Sequence, residues 1–371
     1  MMQDKSNFLH DFIKKNTVFV IALIAAIISC FLVPPDKNYL SYYDWKTLTS
    51  LFCMLAIIEG LKNIRFFSIL AQKIVKLFKT TRSAITALVF ITYFASMLIA
   101  NDMALITFLP LGYFVLTATN KQKFMAYTFI LQTIAANLGG MITPFGNPQN
   151  LFLYNYFQIT NAEFFSIMWF PTAVSVVLLA ICCLFIKSER FDGDLSSTEK
   201  LNVKRAVVFF VLFAYAIVIV FRVVPYWTGL FMMPIIFLLD RKAILKVDYV
   251  LLLTFCMFFT FAGNLVRIPA VNEFFSNLLR KNTLLTGVLS CQVISNVPSA
   301  ILLSKFTADY AHLLVAVNIG GCGTLISSLA SLISFKHFCA YQPQNTKKYL
   351  ILAHALNFSF LIILTVLCSV F

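Results

Sequence analysis

Two polar pairs sit in the middle of long apolar runs. Asn101 and Asp102 are at the centre of 83–118, and Ser295 and Asn296 are at the centre of 283–305, with Pro110 and Pro298 following them. Two further stretches mix polar side chains with helix breakers. The first, 137–150, holds Asn137, Gly139, Gly140, Thr143, Gly146, Asn147, Pro148 and Asn150; the second holds Asn318, Gly320, Gly321, Gly323, Thr324, Ser327, Ser328 and Ser331. These residue types suit contact with ions. A helix starting at Asn101–Asp102 or Ser295–Asn296, capped by those side chains, presents free N–H groups and a positive dipole end that receives an anion. A broken helix exposes carbonyl oxygens beside Asn side chains, and hard cations such as Na⁺ prefer oxygen. Asn101, Asn147 and Asn296 are the residues expected to share such a cation. Asp102 has no basic residue near it in sequence, so it is protonated, ion-bound or paired at a distance; ion contact is the expectation carried forward.

The elements that hold these groups are apolar. Of 371 residues, 60% are hydrophobic and 12% charged, about half the charge of a soluble domain. Several stretches approach the ~20 residues a membrane helix needs. Long Phe- and Leu-rich runs without period-2 alternation point to a helical bundle rather than a barrel. The expected spans are 17–33, 46–61, 125–142, 163–186, 204–222, 225–239, 248–266, 309–334 and 349–371. The regions 83–118 and 283–305 make no net crossing. Region 83–118 is either two full spans or a re-entrant hairpin.

The net charge of +14 is carried largely by short loops between apolar runs, where it orients the chain in a membrane and does not signal nucleic acid. Lys62, Arg65, Lys73, Lys76, Lys79 and Arg82 fall in 61–83 without an acidic residue, which places that segment on the cytoplasmic face. Lys121, Lys123, the 187–205 segment, Arg241, Lys242, Lys246, Lys347 and Lys348 join it there, while Arg267, Arg280 and Lys281 land outside. Within 66–78, Phe67, Ile69, Leu70, Ile74 and Leu77 alternate with lysines at helical spacing, as an interfacial helix would. Glu59 and Lys62 read as an interfacial salt bridge. Lys14 and Lys15 before the first apolar run resemble a signal peptide, but Val33, Pro34, Pro35 and Asp36 follow in place of a small-residue cleavage site. The first span is therefore expected to be retained, with a cytoplasmic N-terminus in the inner membrane.

Nine Cys, scattered mostly in apolar segments, read as packing residues, and the four His (His10, His312, His337, His354) show no metal-ligand spacing. No metal or cofactor beyond a coupling Na⁺ or H⁺ is expected. An integral-membrane enzyme is disfavoured because no His/Asp/Glu cluster lies within the membrane; a passive channel is separable from a carrier by saturable counterflow.

The chain also repeats itself. Phe52, Cys53, Met54 and Gly60 match Phe255, Cys256, Met257 and Gly263 at one offset. Asn101 aligns with Asn296, and Asn137, Gly139, Gly140 and Thr143 align with Asn318, Gly320, Gly321 and Thr324. The matches come in the same order in both halves. Each half reads as a span, an interfacial helix, an apolar hairpin with a polar tip and a broken span. The first repeat begins with an inward-running span and the second with an outward-running one, an inverted arrangement found in many secondary transporters. The expected division is 1–45 (N-terminal segment and first span), 45–160 (repeat 1), 161–247 (connecting spans), 248–342 (repeat 2) and 343–371 (last span).

Residues 45–340 resemble the ion transporter superfamily, in particular its citrate-transporter-like, dicarboxylate/sodium symporter and arsenite permease branches. Ala100, Asn101 and Asp102 with Pro110 resemble its first hairpin. Gly139, Gly140, Thr143, Gly146, Asn147, Pro148 and Asn150 are similar to its Gly-Gly-x-x-Thr-x-x-Gly-Thr-Pro-Pro-Asn stretch. Ser295, Asn296 and Val297 resemble the second tip, where symporters have Ser-Asn-Thr, and 323–330 resembles the arsenite-permease form of the second broken span. The resemblance implies an all-α polytopic secondary transporter moving a small anion such as citrate or a dicarboxylate, coupled to Na⁺ or H⁺, by an elevator-like motion, often as a homodimer. It implies a first half-site of Asn101, Asn147 and Asn150 and a second of Ser295, Asn296 and Thr324. The first tip departs from Ser-Asn-Thr by gaining the carboxylate of Asp102, and the second has Val297 in place of Thr. Arsenite efflux or cation/proton antiport within the same superfamily is the alternative, favoured by Asp102.

Overall fold

The computed structural model describes residues 16–75, 78–190 and 201–370. Lys14, Lys15, His10, Lys76, Leu77 and the 191–200 part of the basic 187–205 segment lie outside these residues, as does the side chain of Ile74. The described chain is helical, and six of its helices are long and apolar enough to cross a membrane. The protein is a multi-pass membrane protein.

α1 (Thr17–Leu32) leads to α2 (Trp45–Asn63) and the short α3 (Phe66–Val75). The first hairpin is α4 (Thr81–Ser96) and α5 (Asn101–Ala118). α6 (Met125–Gly139) and α7 (Pro148–Tyr156) flank the break at 140–147. α8 (Asn161–Leu184), α9 (Val203–Val220), α10 (Met232–Leu239) and α11 (Arg241–Leu245) connect the halves. The second half repeats the order with α12 (Tyr249–Val266), α13 (Pro269–Lys281), a hairpin of α14 (Thr283–Ile294) and α15 (Asn296–Leu303), and α16 (Tyr310–Ile319) and α17 (Leu329–Tyr341) around a break at 320–328. α18 (Thr346–Val370) ends the chain.

Two boundaries differ from the sequence reading, and one region that it left open takes a definite form. Region 83–118 is two helices of 16 and 18 residues that turn back at 97–100. The run 225–239 is helical in two pieces, a 3₁₀ stretch at Tyr226–Phe231 and then α10. The span expected to close at 334 continues to Tyr341, because Phe338 is buried and stacks on Tyr349 with ring centroids 4.4 Å apart.

Two apolar cores hold the bundle. One gathers α2, α9, α10 and the outer face of α5 around Ile57, Phe108 and Phe209; the other runs through the hairpins and broken helices around Tyr93, Phe129, Phe152 and Leu313. The matched glycines of the repeat do matched work. A Cβ on Gly60 would sit 2.2 Å from the Phe209 ring, and one on Gly263 would sit 2.4 Å from the Tyr42 ring, so each lets an aromatic ring lie on its helix. Glu59 and Lys62 pair at 3.1 Å as expected, with Glu59 buried.

Candidate functional site

Several helices that start at loops carry ordinary caps. Asp44 accepts from the Thr47 amide, Asp248 from Leu251 and Asn282 from Leu285. Three of the four helices that start at the hairpin tips and breaks do without one. α5, α7 and α15 have no side-chain cap on their N-cap residues Ala100, Asn147 and Ser295. The expected capping by Asn101 and Asn296 takes a different form. Each is the first helical residue, and its Oδ1 accepts from the next amide, Asp102 N at 3.0 Å and Val297 N at 2.9 Å. Ser295 caps nothing; its hydroxyl donates to Ser327 O and Asn296 Oδ1. α17 is capped by Ser328.

The tips and breaks meet through buried amides. Asn101 Nδ2 donates to Asn137 Oδ1 at 3.0 Å, and Asn137 Nδ2 donates to Ser328 Oγ at 3.0 Å and Gly321 O at 3.2 Å. Asn147 Nδ2 donates to Asn318 Oδ1 at 3.2 Å, and Asn318 Nδ2 donates to Asn150 Oδ1 at 2.6 Å. Asn150 Nδ2 reaches Gly140 O, Met141 O and Thr143 O. Under the repeat alignment, Asn147 is equivalent to Ser328 and Asn137 to Asn318. Each half's Asn thus binds the other half's partner in a reciprocal pattern. A second matched pair ties tip to break within each half: Thr143 Oγ1 donates to Met97 O at 2.6 Å, and Thr324 Oγ1 donates to Gln292 O at 3.0 Å.

Close approach at the first break requires glycine. A Cβ on Gly140 would lie 2.4 Å from Asn147 Oδ1 and 2.9 Å from Gly146 O. Gly146 sits against Gly140 in the same way, so neither position accepts a side chain.

A cavity of about 440 Å³ opens beside this network. Asn101, Pro148, Asn296 and Leu329 all line it, and these are the first residues of α5, α7, α15 and α17. The charged residues of its lining are Asp102, Asp248 and Lys336. The Asp102 carboxylate forms no salt bridge among the described residues. Of the residues expected from the sequence, Asn101, Asp102, Ser295 and Asn296 line the cavity. Asn137, Asn147, Asn150 and Asn318 form the buried layer behind it, while Thr143, Gly146, Thr324 and Ser327 shape the breaks. The carbonyls of Gly140, Met141, Thr143, Gly320, Gly321 and Cys322 already accept from amides or hydroxyls.

Four contributors were missed by the sequence reading. Gln292 braces the second break: its Nε2 donates to Gly320 O and Cys322 O, and its Oε1 accepts from Thr324 N. Its equivalent in the first half is Met97, so a search by internal similarity passes over it, although a lone Gln in an apolar run is a signal. Gln149 is buried at the cavity wall and is equivalent to the apolar Ala330. Asp248 looked like a span boundary, and Lys336 lay past the expected end of its span. No group of three or more His, Cys, Asp or Glu able to hold a metal ion occurs among the described residues.

Comparison with known proteins agrees with this architecture. The family model described as citrate transporter matches residues 12–319. An uncharacterized transporter of Methanocaldococcus jannaschii is 34% identical over 294 residues, covering 79% of this chain and 81% of the relative. The inner membrane protein YbiR of Escherichia coli is 30% identical over 333 residues, covering 86% of this chain and 87% of its own. With two hairpins, two broken helices and a shared cavity in a multi-pass bundle, the chain belongs to the citrate transporter family of membrane transporters.

Proposed function

We propose that the protein carries a small carboxylate anion, of the citrate or dicarboxylate kind, across the inner membrane by alternating access, accompanied by Na⁺ or H⁺. One observation carries this reading: the four helices that start at the hairpin tips and breaks all begin at the wall of one cavity. Each start concentrates the equivalent of about half a positive charge; at α5 the Asp102 carboxylate in the first turn opposes it, whereas α7 and α15 have neither an acidic first turn nor an N-cap side chain. Low-dielectric surroundings strengthen that field. Helix starts aimed at a mid-membrane site are a recurring way for transporters to hold anionic groups.

The accompanying cation follows from what opposes the anion. Asp102 and Asp248 line the same cavity as the single lysine, Lys336, so an anion needs a proton or cation to join it. Asn147 Oδ1 and Gln149 Oε1 are buried oxygens with no donor among the described residues. A Na⁺ ion at these oxygens, within reach of the tips at Asn101 and Asn296, would satisfy them. The basic loops at Lys121, Arg241 and Lys347 set the cytoplasmic face and an N-terminus on that side. Asp248 and Lys336 are exposed residues of the lining, and Asp248 follows Lys246 closely in the chain, which supports reading this conformation as inward-open. The two hairpins and two breaks are tied to one another by the amide network, as a body that moves in an elevator-like step would be.

A second reading, cation/proton antiport or arsenite efflux, draws on the two carboxylates in the cavity. Proteoliposome uptake of citrate, succinate, sulfate, phosphate and arsenite under imposed Na⁺ or proton gradients separates the two. Gradient-driven citrate or succinate uptake that Asn101→Ala and Asn296→Ala abolish is the expected result. Cation/proton exchange without anion uptake, abolished by Asp102→Asn, would replace this reading with the second.

A further inference from the structure

We propose that Lys336 is the second anchor of the substrate: the helix starts take one carboxylate, Lys336 takes another, and the cavity thereby favours anions with two or more carboxylates over those with one. This rests on the anion reading above.

The placement of Lys336 carries the argument. It lines the cavity on α17, the helix whose first residue, Leu329, lines the same cavity. Seven residues separate them along the helix, a rise of about 10 Å. Side chains on a helix lean toward its N-terminus, so the ammonium of Lys336 leans from the mouth back toward the Leu329 end. Along this axis the ammonium is then within about 10 Å of the Leu329 helix start, the scale of a small dicarboxylate with its hydrogen bonds. Lys336 is exposed and has no salt-bridge partner among the described residues, so its charge is available to a ligand.

The other charges of the lining do not fill this role. Asp248 is spent at the mouth as the cap of α12, where its carboxylate accepts from Leu251 N at 2.9 Å. Asp102 stands at the deep end, in the first turn of α5, where it repels a carboxylate unless a proton or cation joins it. The amide of Asn101 is committed on both atoms, to Asn137 and to Asp102 N. Among the described residues, Lys336 is the one cation in the lining. A monocarboxylate held at the helix starts leaves it unused, whereas a dicarboxylate spans to it. One charge pair in a partly desolvated cavity is worth about tenfold in affinity.

The test is calorimetric binding to the purified full-length protein in nanodiscs, with propionate, succinate, glutarate and citrate, for wild type, Lys336→Gln and Lys336→Arg. Wild type is expected to bind the polycarboxylates at least tenfold more tightly than propionate. Lys336→Gln should lose about tenfold for succinate, glutarate and citrate, leave propionate unchanged, and flatten the salt dependence of polycarboxylate binding; Lys336→Arg should restore the preference. An equal loss for propionate and succinate would make Lys336 a general source of positive potential and overturn the two-point arrangement, as would no loss at all. Failure of wild type to bind any of the four would overturn the anion reading itself, and this inference with it. Thermal unfolding of the variants matching wild type shows that the folded cavity is being compared.

Discussion

The first hairpin joins arms of 16 and 18 residues through the tip 97–100, whereas the second joins arms of 12 and 8 residues through Ser295 alone. The longer turn leaves Ala100 at an ordinary φ of −51°, while the shorter one forces Ser295 to a φ of 74°. The breaks differ in the same direction. The first is held by Asn150, which reaches three carbonyls from its own second half-helix. The second is held from outside by Gln292 on the hairpin, and it passes through Gly323 at a φ of 119°. Where the second half needs Gly323, the first carries Ile142. One architecture is therefore built twice with different parts: the first half is braced from within its own break, while in the second, hairpin and break brace each other and the backbone strain is gathered at two residues.

The largest effect is expected at the joint between the halves. Asn137→Ala removes the acceptor of Asn101 Nδ2 and the donor to Gly321 O and Ser328 Oγ, all buried. It should cost about 2–3 kcal/mol and reduce transport at least a hundredfold. Asn318→Ala should match it if the halves are equal partners, and a thermal-unfolding difference well beyond 1 kcal/mol between the two would break that equality.

Next comes Gln292→Leu. It strands Gly320 O, Cys322 O and Thr324 N, and should cost about 2 kcal/mol. Met97→Leu at the equivalent position should cost under about 1.5 kcal/mol. Chemical denaturation of both proteins checks the asymmetry, and equal losses would remove it.

Gly323→Ala is expected to cost about 1–3 kcal/mol, because its Cβ would also lie 2.1 Å from Gln292 Oε1. Combined with Gln292→Ala the loss should fall short of additive. Strict additivity would show that strain at φ 119° acts alone.

The tips should differ in how they respond to glycine. Ser295→Gly relieves a positive φ and should come out within about 1 kcal/mol of wild type despite the lost hydroxyl bond, whereas Ala100→Gly should cost about 0.5–1 kcal/mol. Both are read as shifts in Tm.

The smallest effect lies where the connecting segment meets a basic loop of the first half. Glu189 pairs with Lys121 at 2.6 Å and Lys123 at 2.7 Å, and those hydrogen bonds lower its pKa from 4.5 to about 2. A depressed carboxylate pKa stabilises the fold above the unfolded value and loses that contribution as pH falls through the folded one. Glu189→Gln should lower Tm slightly at pH 7, and the gap to wild type should close as pH drops from about 4.5 toward about 2. A gap that stays constant would show that the pairing adds nothing.

Much of the site was legible because its logic is local. Asn101, Asp102, Ser295 and Asn296 are conspicuous, since a polar pair in an apolar run has few inexpensive explanations, and the breaks are written in Gly and Pro. The repeat added the alignment of Thr143 with Thr324, each of which donates to a carbonyl of its own hairpin. Gln292, Gln149 and Lys336 were not legible. Their equivalents in the other half are apolar or unremarkable, and their partners are carbonyls and cavity space that exist only after folding.

Hydropathy, charged loops and helix breakers determined by themselves that the chain crosses the membrane repeatedly, where it turns and where its helices break, because lipid excludes unsatisfied backbone and water solvates charge. The tertiary structure alone decided which amide answers which. It decided that Asn147 reaches Asn318 across the halves, that the helix starts at the tips and breaks share one cavity, and that Lys336 lines the same cavity. Those relations depend on the packing of segments far apart in the chain, and spacing along a sequence carries no record of distances through space.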